Sequence, residues 1–139
     1  MNAALACTLE ELTEVLANAA FIKPYGLVID SLAPGECTVV VPYSPLLDRP
    51  GGIVNGMMIM GAADVAMWLA IMTRRGTAER WVTTNMTTAF LRSARETDLY
   101  CSARILKLGK RTSYGTVECH DAGGQLFAHH AMSYALVPP

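Results

Sequence analysis

From Gly56 to Met72 the chain reads Gly-Met-Met-Ile-Met-Gly-Ala-Ala-Asp-Val-Ala-Met-Trp-Leu-Ala-Ile-Met, apolar on every side of a helix except at Asp64. A helix without a polar face belongs either in a membrane or at the centre of a soluble fold. The run is at the short end for spanning, and a central aspartate costs about 2.5–3.5 kcal/mol on insertion scales. Strand-like segments follow at once. The reading is therefore a buried helix in a soluble domain, with no membrane partner.

The segments around this helix define what covers it. Thr8-Leu9-Glu10-Glu11 has the form of a capping box opening a short helix to about Ala20. Tyr25 to Leu32 and Glu36 to Tyr43 read as strands joined at Pro34-Gly35, and Ser44 to Gly52 as loop. After the apolar helix come strands at Arg80–Arg92, Leu99–Ile105, Thr112–His120 and Gln125–Val137. Turns at 108–111 and 121–124 suit an antiparallel meander. The expected class is α+β, an antiparallel sheet wrapped around one long helix, as a single domain over residues 1–139.

Charge and composition narrow the partners. Hydrophobic residues are 52% and charged residues 17%. That excludes disorder and suggests more apolar surface than a small monomer hides, so a homo-oligomer is expected. The net charge of −1 argues against nucleic acid. Residues 49–139 nevertheless hold ten of the eleven basic side chains, enough for a local site for a small polyanion. Arg92, Arg95, Lys107, Lys110 and Arg111 lie near strand ends, where they either meet such a ligand or form a solvated rim. Cys7, Cys37, Cys101 and Cys119 show no C-x-x-C spacing, and no basic-then-apolar leader precedes Lys23. A cytoplasmic protein with reduced thiols is expected.

Two features carry chemistry. A lone carboxylate in an apolar helix is costly to bury charged, and mid-helix aspartate is a weak helix former. Asp64 is therefore weighed toward function, against capping or an ordinary ion pair. Asn55-Gly56 opens the helix, with Asn55 as N-cap and free N–H groups behind it that suit an oxyanion. Gly56 and Asp64 are eight residues apart, about 12 Å along a helix. One straight helix cannot bring both within about 3 Å of one reacting atom. If both act, the site joins two subunits. His129-His130 on a strand points two rings to opposite faces, which favours packing over a metal site.

The order of elements, together with Ile53-Val54-Asn55-Gly56-Met57 and Asp64, resembles the hotdog-fold acyl-CoA thioesterases. The likeness is to the group with the phenylacetyl-CoA and hydroxybenzoyl-CoA enzymes. That group reads Val-His-Gly-Gly, with an acid eight residues after the first glycine. Val82 to Met86, Phe90-Leu91-Arg92, Gly109-Lys110-Arg111 and Leu126 to His129 resemble its later strands and turn. The resemblance implies Asp64 as general base or nucleophile, and the Gly56 N–H as the group that polarises the thioester carbonyl. It implies Thr83 as the hydroxyl steadying water or carboxylate. It also implies dimers or tetramers with shared sites, and no metal or cofactor beyond the coenzyme A of the substrate.

Three positions depart from the pattern. Asn55 replaces the histidine and cannot exchange a proton near neutral pH. Met57 replaces the second glycine and narrows the approach to the helix start. Arg49 stands where an asparagine is often found, placed to pair with Asp64 across subunits or to bind an anionic part of the ligand. The expected function is acyl-CoA hydrolysis. A non-catalytic acyl-CoA-binding hotdog protein is the alternative, ahead of an enoyl-thioester hydratase, since no histidine precedes His120.

Overall fold

A computed structural model describes residues 4–139. Helix α1 (Leu9–Asn18) starts with the expected capping box: Thr8 Oγ1 accepts from the Glu11 N–H at 3.1 Å, and Glu11 Oε1 accepts from the Thr8 N–H at 3.0 Å. Leu12 and Leu16, one turn apart, are its buried face. Strands β1 (Val28–Ala33) and β2 (Glu36–Val41) form a hairpin around Pro34-Gly35. The first strand begins later than Tyr25. Pro24 sits in a 3₁₀ turn over Lys23–Tyr25, and left-handed Gly26 follows before the chain can extend. The loop expected from Ser44 to Gly52 holds a 3₁₀ turn at Pro45–Leu47 and one strand of a short pair, β3 (Asp48–Arg49) with β4 (Ile53–Val54).

Helix α2 (Gly56–Arg75) runs three residues past Met72. Thr73 is tied into the structure twice. Its Oγ1 donates to the Ala70 carbonyl and accepts from the Gly35 N–H at 2.8 Å, which anchors the helix end to the β1–β2 turn. Gly76, at φ 78°, then ends the helix in a backbone conformation that side-chain-bearing residues avoid. The helix is long and apolar enough to cross a membrane, yet 67% of its most apolar window is buried within this fold. Ala62, Ala63, Ala66, Leu69, Ala70 and Ile71 are fully buried, and the helix lies against β2, β6 and β7. Each large side chain buried this way stabilises the fold by roughly 1.5–3 kcal/mol.

The remaining strands are β5 (Trp81–Phe90), β6 (Leu99–Leu108), β7 (Thr112–His120) and β8 (Leu126–Leu136). The sheet order is β1-β2-β6-β7-β8-β5, with every pairing antiparallel. Alternation places Leu99, Cys101 and Ala103 of β6, and Val117 and Cys119 of β7, toward the helix.

The expected four-strand meander holds for β6, β7 and β8 but not for β5. Strand β5 leaves the helix, pairs with β8 at the far edge, and crosses back to β6 through residues 91–98. The Leu91 and Arg92 N–H groups, both donating to the Phe127 carbonyl, hold the start of that crossover.

Gly115 of β7 has no room for a side chain. A Cβ there would lie 2.4 Å from the Arg104 carbonyl oxygen and 2.6 Å from Met67 Cε. The methionine tip can swing away, but the backbone oxygen cannot without opening the β6–β7 ladder. Gly115→Ala is expected to cost on the order of 3 kcal/mol of stability, read as a lower denaturation midpoint. An unchanged midpoint would mean that β6 retreats freely.

Candidate functional site

Asp64 sits in the third turn of α2 with its carboxylate turned toward β5 and β8. Thr83 Oγ1 of β5 donates to Asp64 Oδ1 at 2.5 Å. The Tyr134 hydroxyl of β8 lies within hydrogen-bonding reach of the same Oδ1 and of the Asp64 carbonyl oxygen, the latter at 2.7 Å. Thr83 and Tyr134 are direct cross-strand partners in the β5–β8 ladder, so the sheet register delivers both hydroxyls to one place. Tyr134 is buried. Burial first, then the charge of Asp64 and the bond to it, push its phenol well above the usual value, so it remains a proton donor. Among the described residues no donor reaches Asp64 Oδ2.

This carboxylate lines a groove of about 660 Å³ whose other walls include Phe21, Val65, Trp68, Met72, Trp81 and Val82. The rim carries Glu79 and Arg80. Such a surface accepts an apolar or aromatic group and offers one free carboxylate oxygen to it.

The start of α2 forms a second, separate cavity of about 430 Å³, lined by Arg49, Ile53, Val54, Gly56, Ile59 and Phe90 to Ala94. Asn55 is the N-cap: its Oδ1 accepts from the Met58 N–H at 2.8 Å and its Nδ2 donates to the Leu47 carbonyl at 2.8 Å. Among the described residues the Gly56 and Met57 N–H groups have no acceptor, so they remain as free donors at the positive end of the helix. A Cβ on Gly56 would stand 3.2 Å from Phe90 Cζ. Met57 projects outward and is 84% exposed.

The residues expected to bind substrate, Arg49, Met57, Arg92, Lys110 and Arg111, fall into two groups, and Met57 stands with the first, on the opening turn of α2. Arg49 and Arg92 line the cavity at the start of α2. Lys110 and Arg111 lie in the β6–β7 turn at its opposite end, where Arg75 donates to the Gly109 carbonyl at 3.1 Å. One protomer therefore does not gather the five. Nor does it join Gly56 to Asp64, since the two cavities share no lining residue. His130 is buried, with Nδ1 2.8 Å from Thr88 Oγ1, as expected of a packed ring.

The sequence profile of the thioesterase superfamily matches residues 51–128, more than half of the chain. The chain belongs to the thioesterase superfamily. A candidate thioesterase of Silicibacter sp. TM1040 is 30% identical, with a TM-score of 0.87 over 96% of this chain and 94% of that one. A candidate esterase of Thermoplasma volcanium is 26% identical over 91% of this chain and 94% of its own. The PaaI protein from the phenylacetic acid degradation operon of Escherichia coli superposes with a TM-score of 0.86 over 97% of each chain, at 19% identity. The fold is the hotdog fold, as its resemblance implied.

Within this thioesterase-superfamily site, Asn55 has a definite structural duty. Asn55→Ala removes both the cap of α2 and the tie to Leu47. It is expected to cost about 1–2 kcal/mol in denaturant unfolding, and a neutral result would mean that water caps the helix equally well. Tyr134 is the site residue that sequence reading missed. Its available signal was a phenol on the inward face of the last strand, among Ala128, Met132 and other apolar neighbours, where a buried hydroxyl needs a partner.

Proposed function

We propose that this protein is an acyl-CoA thioesterase that hydrolyses an acyl- or aryl-CoA to the free acid and coenzyme A. The observation that carries the reading is the Asp64 carboxylate, held through Oδ1 with Oδ2 unclaimed at the wall of an apolar groove. Two routes use that oxygen. Oδ2 takes a proton from a water that attacks the thioester carbon, or it attacks the carbon itself to give an anhydride that water then opens. In both, the sulfur leaves with the electron pair of the C–S bond and is protonated to the free thiol. The Gly56 N–H stabilises the oxyanion that forms on the carbonyl. Water is the only co-reactant, and no cofactor or metal enters.

The working unit is a homo-oligomer with shared sites. Strand β5 is an edge strand of ten residues, and Val82 and Phe90 on it are exposed. A long unpaired edge is a template for another strand. Antiparallel pairing of two β5 strands about a two-fold axis sets the Val82–Thr83 end of one copy beside the Phe90 end of the other. That places the Asp64 groove next to the Gly56 cavity of a second copy, and Met57 with it. Arg49 and Arg92 of one copy then approach the end that carries Lys110 and Arg111 of the other, where the phosphates of coenzyme A are to be held. The four cysteines are buried and unpaired, which fits a cytoplasmic setting.

A non-catalytic acyl-CoA-binding role is the second reading. It is favoured by Asn55, whose side chain is committed to the cap and cannot shuttle a proton. Free-thiol release from a panel of aryl, short-chain and long-chain acyl-CoAs separates the two. Release supports the thioesterase, whereas binding without release from any of them supports the second reading.

A further inference from the structure

Two hydroxyl donors converge on the same oxygen of Asp64, although a carboxylate has two equivalent oxygens and a free χ2 rotation. We propose that Tyr134 is a positioning residue: with Thr83 it clamps Asp64 Oδ1, so that Oδ2 alone is presented to the thioester or the water. The inference rests on the thioesterase reading above and adds to it the group that makes one carboxylate oxygen the reacting one.

Three observations carry it. Tyr134 stands opposite Thr83 in the β5–β8 register, so both hydroxyls approach Asp64 from adjacent strands. The Tyr134 hydroxyl also lies 2.7 Å from the Asp64 carbonyl oxygen, which ties the side chain to the backbone of its own helical turn. The ring is 3% exposed and joins the hydrophobic core, so its hydroxyl is delivered on a rigid arm. Thr83, on the exposed edge strand, has no such support. Tyr134 is among the lining residues of the groove, and its hydroxyl is engaged by Asp64. Loss of this hold leaves the carboxylate free to turn, and a misplacement of about 1 Å can cost 10²-fold in rate.

The test is a double-mutant cycle on the acyl-CoA from which the wild type releases thiol fastest, comparing wild type, Asp64→Asn, Tyr134→Phe and the double variant. Tyr134→Phe removes one oxygen and keeps the packed ring. It is expected to lower kcat roughly 10- to 100-fold with KM little changed, and to have no further effect once Asp64 is Asn. A merely structural tyrosine would lower stability and multiply with the Asp64 change. If Asp64→Asn collapses activity while Tyr134→Phe keeps the wild-type kcat, or if the two losses multiply, the positioning role is overturned and the thioesterase stands. If Asp64→Asn retains activity, Asp64 is not the reacting group and the inference falls while the thioesterase stands; if the wild type releases no thiol from any acyl-CoA, the thioesterase reading fails and the inference with it. Should Tyr134→Phe not fold, Tyr134→Met enters the same cycle with the same expectation.

Discussion

Asp64→Asn is expected to lower thioester hydrolysis by about 10²- to 10⁴-fold while leaving the protein folded. The asymmetry of the site makes this substitution informative. The amide oxygen can take the place of Oδ1, and it still accepts from the Thr83 and Tyr134 hydroxyls. Size, packing and both hydrogen bonds are thereby preserved. The amide nitrogen then occupies the place of Oδ2. It carries no lone pair able to take a proton from water or to attack a carbonyl. Loss of rate with an unshifted thermal midpoint would assign the chemistry to Oδ2. A variant that keeps the wild-type kcat/KM would remove Asp64 from the mechanism, because nothing else about the site has been altered. Retained acyl-CoA binding in the dead variant would further show that the groove and the carboxylate do separate work.

How much of this could be read from sequence depended on the range of the contact involved. Asp64 stood out because its neighbours on the helix are all apolar, and that contrast is visible in one segment. The Asn55 cap and the Thr8–Glu11 box are equally local, each closing within three residues. Gly35 and the turns at 109–111 and 121–124 announced their hairpins for the same reason. Tyr134 was not legible because it meets Asp64 across 70 residues, through a strand pairing that no turn encodes. Turn residues report hairpins between neighbours in sequence, and β5 is joined to β8 instead. A meander with β5 beside β6 alone would have set Thr83 apart from Tyr134, and the two hydroxyls would not meet at Asp64. The same limit explains the basic residues. Arg92 and Arg111 both follow or precede strand ends, but which end of the sheet each occupies is set by topology. Thr83 entered only through the family resemblance, and its bond to Asp64 supplies a physical reason for that position.

Gly56→Pro is expected to lower kcat by about 10²- to 10³-fold, the loss usual for one oxyanion donor. Proline removes the N–H under test yet suits the first position of a helix, where that N–H has no intrahelical acceptor. Asn55 is already extended, at φ −71° and ψ 146°, as a residue before proline must be. The added ring presses on Phe90, so Gly56→Ala is the control: it brings the same Cβ, 3.2 Å from Phe90 Cζ, and keeps the N–H. Phe90 is 54% exposed and can yield. Alanine should therefore lose far less activity than proline. The pair also tests whether sites are shared. In a co-expressed, doubly tagged heterodimer of Asp64→Asn with Gly56→Pro, a shared arrangement leaves one site with both its carboxylate and its N–H, and the other with neither. Activity near half that of the wild-type dimer is expected, although each homodimer is nearly inactive. Sites confined to one protomer would each carry a defect, and mixing would restore nothing. Because the two groups lie about 12 Å apart on one straight helix, recovery in the heterodimer is the result that their geometry requires if both act on the same carbonyl.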